Sequence, residues 1–144
     1  MYLAIVQLLL DFGLVVLIWI VQLIVYPSFL YYRNENLVAW HREYTSRFSF
    51  IVIPLMFGQL GVSIYQVITF ANVYTVLGLV IILLIWISTF LQFVPIHSNI
   101  SKGIASEKML NSLVTKNWLR TSLWSLLFVI NCSYYILKTS GSLN

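Results

Sequence analysis

Four apolar stretches, at about 3 to 26, 48 to 70, 73 to 94 and 118 to 137, constrain the fold of this chain more than anything else in it. Each has the roughly 20 residues that a helix needs to cross the hydrocarbon core of a bilayer. A segment in that medium must satisfy its backbone hydrogen bonds internally, which selects helices. Of the 144 residues 60% are hydrophobic and 8% charged, too few charges to coat a soluble domain, where about a quarter of residues are charged. The predicted fold is all-α: an integral membrane four-helix bundle forming one domain over residues 1–144 in contact with the lipid bilayer. No small-x-small cleavage pattern follows the first stretch, where Tyr26-Pro27-Ser28-Phe29 stands instead, so that helix is expected to be retained.

The stretches are joined by a polar segment of about twenty residues, a tight turn at Ala71-Asn72 and a second long polar segment, so both long loops are expected on one side. Arg33, Arg42, Arg47, Lys102, Lys108, Lys116 and Arg120 belong to those loops or their helix ends, and Lys138 alone lies at the other end. The positive-inside rule then puts the long loops in the cytoplasm and both termini outside. The same cations are scattered and form no dense stripe, so no nucleic-acid partner is expected.

Within the first loop Leu37, Trp40, His41 and Tyr44 share one helical face, predicting a short interfacial helix on the membrane surface with Asn34 or Asn36 as its cap. In the second, Met109, Leu110, Leu113 and Val114 carry the helical period on to Asn117, with Ser106 as cap, so the fourth helix is expected to begin several turns before its apolar stretch. Pro54 is expected to kink helix two, and Gly58 and Gly61 to let backbones approach closely.

His41 and His97 are the candidate acid–base groups, one from each long loop; the plainer reading of His41 is an interfacial histidine beside the aromatic Trp40. One cysteine, Cys132, and two histidines without metal-ligand spacing predict no metal and no bound cofactor. Helix four presents Asn117, Arg120, Thr121 and Trp124 along one stripe. Arg120 is suited either to an oxyanion or to anchoring topology by snorkelling. Gln22, Gln59, Thr89 and Gln92 lie at similar depth and are expected to form a polar floor, with Tyr44 near the mouth and Trp124 as a wall. Asp11, near the bilayer centre, must be protonated, paired or hydrated, and Ser63, Gln66 and Asn131 match its depth; Asn131 is the expected partner.

Thr89-Phe90, three residues and Val94-Pro95, followed by Asn117-x-x-Arg120, resemble the anthrone-oxygenase-like family of small four-helix membrane proteins, mainly over residues 89–121, with a looser match at Tyr26-Pro27. That family commonly has asparagine where this chain has His97 and tryptophan where it has Lys116. Its characterised fungal members oxidise anthrones to anthraquinones. The resemblance implicates Thr89, Pro95, His97, Asn117 and Arg120, and implies a membrane oxidoreductase or oxygenase acting on a hydrophobic, aromatic or quinone-like small molecule. Two other functions fit the residues: a proton-coupled transporter using Asp11 in a homo-oligomer, and an accessory subunit that docks a partner through the helix around Trp40.

Overall fold

The computed structural model describes residues 2–141, and every regular element among them is helical. Four long helices form: α1, Tyr2–Tyr31, α2, Asn34–Thr69, α3, Val73–Ser101, and α4, Glu107–Thr139. The first three are long and apolar enough to cross a membrane. The fourth is not among them, because Asn117, Arg120, Thr121 and Asn131 dilute its apolar run. Asn117, Arg120 and Thr121 are all buried, so α4 turns its polar residues towards its neighbours. The principal contacts link α1 to α2 and α4, and α3 to the same two helices.

Both long loops of the sequence reading are largely helix. Only residues 32 and 33 separate α1 from α2, and residues 102–106 separate α3 from α4. The expected interfacial helix is instead the first turns of the 36-residue α2. Nothing between Asn34 and Phe48 is a proline or glycine, and extending an existing helix costs far less than nucleating a separate one. At about 1.5 Å per residue α2 is roughly 54 Å long, so its polar end extends well past its apolar run.

Local chemistry explains the ends. Asn72 closes the α2–α3 turn with a capping box: its Oδ1 accepts from the N–H groups of Tyr74 and Thr75, while Thr75 Oγ1 accepts from the Asn72 N–H. Ser106 caps α4 as expected, accepting from the Met109 N–H. Neither Asn34 nor Asn36 caps α2; Arg33 holds that position without a side-chain bond, and Asn34 Nδ2 donates across to the Gly103 carbonyl at 3.0 Å. Gly103 has φ +73°, which a β-carbon would strain, so the turn into α4 requires glycine. Gly58 makes room for a side chain and not a backbone, with Leu10 Cδ2 3.3 Å from where its β-carbon would be, and Gly61 has nothing within 4 Å, so neither brings two backbones together.

The same device interrupts α1 and α3. Each contains a five-residue π-helical segment, Val21–Val25 or Thr89–Phe93, followed by X-Pro at Tyr26-Pro27 or Val94-Pro95. A helical proline cannot donate to the carbonyl four residues back and its ring presses on it. Those carbonyls belong to Leu23 and Leu91, both inside the widened segments, so the π turns accommodate the prolines without breaking the helices. π turns of this kind gather at functional sites, and here they present Tyr26 and His97 to each other.

Candidate functional site

Residues from three helices meet in one hydrogen-bonded chain where the polar ends of α2 and α3 lie together. His41 Nε2 lies 2.7 Å from His97 Nδ1, and the rings stack with centroids 5.0 Å apart. His97 Nε2 lies 3.0 Å from the Tyr26 hydroxyl. At the other end His41 Nδ1 meets the Ser101 hydroxyl at 3.0 Å. Every ring nitrogen therefore has a partner, and each bond needs one donor and one acceptor. The chain can be written in two senses, with protons pointing from Ser101 towards Tyr26 or from Tyr26 towards Ser101. Switching between them moves one proton across each link, which is the property of a proton relay. Phe29 is fully buried and sets its ring edge against both His41 and Tyr44, sealing the relay on that side.

The Tyr26 and His97 end of the relay borders a cavity of about 390 Å³ between α2 and α3, within the usual size range of small-molecule sites. Its wall is mostly apolar and aromatic, including Phe48, Met56, Phe57, Trp86 and Phe93, and Arg120 reaches it from α4. The Arg120 guanidinium lies 4.3 Å from the Phe93 ring centroid and 5.3 Å from that of Trp124. Cation–π contacts in a dry setting are worth about 2 kcal/mol, well short of what a buried cation loses in hydration. No acid offsets the rest: the one ion pair among the described residues joins Glu43 to Arg47 on the surface of α2. Arg120 Nε is buried without a hydrogen-bond partner, and so is the indole N–H of Trp86, another wall residue. A buried cation with no carboxylate beside it, in the lining of a cavity, favours an oxygen acceptor there, above all an anionic one.

The remaining polar residues form two further sets. Gln22 Oε1 accepts from Asn117 Nδ2 at 2.9 Å and from the Thr121 hydroxyl at 3.4 Å, while Gln22 Nε2 donates to the Val114 carbonyl. These bonds clamp α1 to α4 just behind Arg120. Deeper in, the fully buried Asp11 carboxylate accepts from Gln7 Nε2 and Gln59 Nε2 at 2.8 Å each and from Asn131 Nδ2 at 2.7 Å. Gln59 Oε1 in turn accepts from Trp124 Nε1 at 3.3 Å. The Asp11 cluster therefore fixes the indole that underlies Arg120.

The structure brings together His41, His97, Arg120 and Tyr44 from the sequence-derived set, with Thr89 in the cavity wall and Trp124 beneath the guanidinium. It does not assemble the polar floor. Gln22 and Asn117 are spent on each other, Gln59 belongs to Asp11, Thr89 returns its hydroxyl to the Ile85 carbonyl, and Gln92 is not in the cavity wall. Asn131 does pair with Asp11, whereas Ser63 and Gln66 make no bond to it. Trp40 leaves the face it was assigned to: it is exposed and stacks on Tyr32, while Leu37 and His41 are buried. Tyr26 and Ser101 went unsingled by sequence reasoning. A tyrosine ending an apolar run reads as an ordinary interfacial residue, and only the Pro27 that follows it hinted at a special position. Among the described residues no cluster of three or more His, Cys, Asp or Glu side chains comes together.

Compared with protein-family models, curated proteins and solved structures, the chain has no match. The resemblance over residues 89–121 therefore rests on its own residues, and the site has to be weighed by its chemistry.

Proposed function

We propose that this chain is an integral membrane four-helix protein that binds a hydrophobic small molecule carrying an acidic oxygen and takes a proton from it. The observation that carries this reading is the meeting, at one cavity, of a buried arginine that has no carboxylate partner and the end of a two-histidine relay. The ligand's hydroxyl gives its proton to the Tyr26 oxygen as Tyr26 gives its own to His97 Nε2. The His97 Nδ1 proton passes to His41 Nε2, and the His41 Nδ1 proton to the Ser101 oxygen as Ser101 gives its own hydroxyl proton to water. The proton leaves towards the polar helix ends, and Arg120 holds the resulting oxyanion. Its topology follows from the basic residues: polar ends in the cytoplasm and termini outside.

The resemblance to the anthrone-oxygenase-like family adds the next step. A phenolate or enolate is electron-rich, so holding a quinone-like substrate in that form prepares it for oxidation by dioxygen, the reading of this chain as an oxidoreductase. His97, Tyr26 and Arg120 are then the groups that touch substrate, His41 continues the relay, and Thr89, Phe93, Trp86 and Tyr44 shape the cavity. The transporter reading asks Asp11 to exchange protons, but its two oxygens already accept three amide donors, the setting of a structural acid.

Mass spectrometry of small molecules that copurify in mild detergent tests the proposal. The expected result is a hydrophobic phenol, enol or acid with the wild-type protein, absent from Arg120→Gln and retained by Asp11→Asn. Retention by Arg120→Gln with loss from Asp11→Asn would reverse the assignment in favour of the transporter.

A further inference from the structure

The cavity has an opening, and it lies on the flank of the protein. Beyond its inner wall, α2 and α3 meet through the His41–His97 pair and through Arg42 Nη2 donating to the Ser101 carbonyl. Towards the middle of the molecule they meet again where Phe57 sets its ring against Trp86, centroids 5.0 Å apart. Between these two contacts lies the cavity. The rim is made of Ile53, Phe57, Phe90 and Val94, which are 49–59% exposed, yet Arg120 behind them is 7% exposed. These four are apolar and belong to the apolar stretches at 48 to 70 and 73 to 94, so this part of the opening suits lipid better than water.

Where the two helices border the opening, α2 carries a proline and α3 a widened turn. Pro54 gives no N–H to the carbonyl of Phe50 in α2, and the π-helical segment Thr89–Phe93 widens α3 opposite. At the aqueous end His41 is 1% and Phe29 0% exposed, so nothing enters past the histidine pair, while the half-buried Thr45 and Ser49 continue the cavity's rim along α2 towards its polar end. A cavity of about 390 Å³ is near the lower end of small-molecule sites, enough for a ring or head group but not for a long chain as well.

We propose that this opening is a lateral portal for a membrane-dissolved amphiphile whose anionic oxygen head, a carboxylate or phenolate, sits against Arg120 while its hydrocarbon tail lies between α2 and α3. The proposal rests on the reading of the cavity as a ligand site and adds the ligand's architecture and its route. Charge fixes the head: a buried guanidinium in the cavity lining with no acid beside it is complementary to an anion. The rim fixes the tail, since four apolar side chains would have to be desolvated around any polar one.

The protein in lipid nanodiscs can be titrated with a brominated fatty acid or its methyl ester, reading the quenching of Trp86 as the difference from Trp86→Phe protein. The acid should reach half-quenching at a mole fraction at least about tenfold below that of the ester, the discrimination expected of one charge-assisted hydrogen bond. Arg120→Gln should erase that preference, and Val94→Phe, which narrows the rim without touching Arg120, should weaken the acid several-fold. Should Arg120→Gln fail to fold, the acid–ester comparison and Val94→Phe still decide. Equal quenching by acid and ester, or wild-type affinity in Val94→Phe, would overturn the portal. A dimer in native mass spectrometry that Val94→Phe dissolves would also overturn it, by assigning the rim to a second copy. Tail-free para-nitrophenol separates the two levels: its binding without saturable quenching by the acid refutes the portal alone, and binding of neither probe refutes the ligand site as well.

Discussion

Replacing Asp11 by alanine removes the acceptor of three amide donors at once, and the structure says how much of that loss must be felt. A buried donor left unsatisfied costs about 1–3 kcal/mol, which for three would be roughly 3–9 kcal/mol. Gln7 and Asn131, however, line a cavity of about 120 Å³ shared with Gln66, Thr75 and Tyr134, where water can replace the carboxylate. Gln59 is 1% exposed and lines no such space, so its donor is the one that stays unpaired. The expected loss is therefore about 1–3 kcal/mol, from Gln59 alone. Asp11→Asn keeps one acceptor oxygen for Gln7 and Gln59, and a flip of the Asn131 amide restores the third bond, so it should be close to wild type. Reversible unfolding in mixed micelles, with the denaturing detergent titrated, measures the difference. An alanine variant as stable as wild type would refute the view that this carboxylate organises the interior, and an asparagine variant as damaged as alanine would refute the donor count.

Three further outcomes follow from the same geometry. A double-mutant cycle between Gln22→Ala and Asn117→Ala, followed by the same unfolding assay, should give a coupling of about 0.6 kcal/mol and under about 2 kcal/mol, the range for interhelical bonds in membranes; zero coupling would mean that the α1–α4 clamp does not hold. Cysteines at Asn36 and Thr139 in a Cys132→Ser background should differ in intact cells, with an impermeant thiol reagent labelling position 139 and not 36; the opposite pattern would invert the topology. Purified protein should contain no haem and no stoichiometric transition metal by optical and elemental analysis, because all four ring nitrogens of His41 and His97 already have partners on the chain; one equivalent of metal lost in His97→Ala would contradict that.

Much of the helical architecture was legible because apolar runs of this length leave few other choices; Ser106 and the α2–α3 turn followed from local rules, and the Asp11–Asn131 pair from matching depth. The connections were misjudged for a specific reason. Hydropathy marks where a helix leaves an apolar medium and says nothing about where its hydrogen bonding ends, so the polar ends of α2 and α3 looked like loops. That error hid Ser101, which sits at the end of α3 and not in a loop. His41, His97 and Arg120 were legible because few polar groups stand so near the ends of apolar runs. Their convergence at one mouth was expected, but the direct bond between the two rings was not, since it depends on the rotation of each helix, which the π turns at Val21–Val25 and Thr89–Phe93 alter and which no residue pattern announces. The polar floor failed for a related reason: glutamines at equal depth can each satisfy themselves within a neighbouring pair, as Gln22 does with Asn117 and Gln59 with Asp11.

The central claim is that Arg120 and the Tyr26–His97–His41 relay bind an acidic, hydrophobic molecule and strip its proton. A para-nitrophenol carrying an alkyl chain reports this directly, because its absorption moves to longer wavelength when it ionises. In nanodiscs buffered so that the free probe in lipid stays neutral, wild-type protein should convert one equivalent of bound probe to the phenolate. Arg120→Gln should abolish the conversion, and His97→Phe should leave the probe bound but neutral. A probe that stays neutral on the wild-type protein, or ionises equally on both variants, would contradict the account.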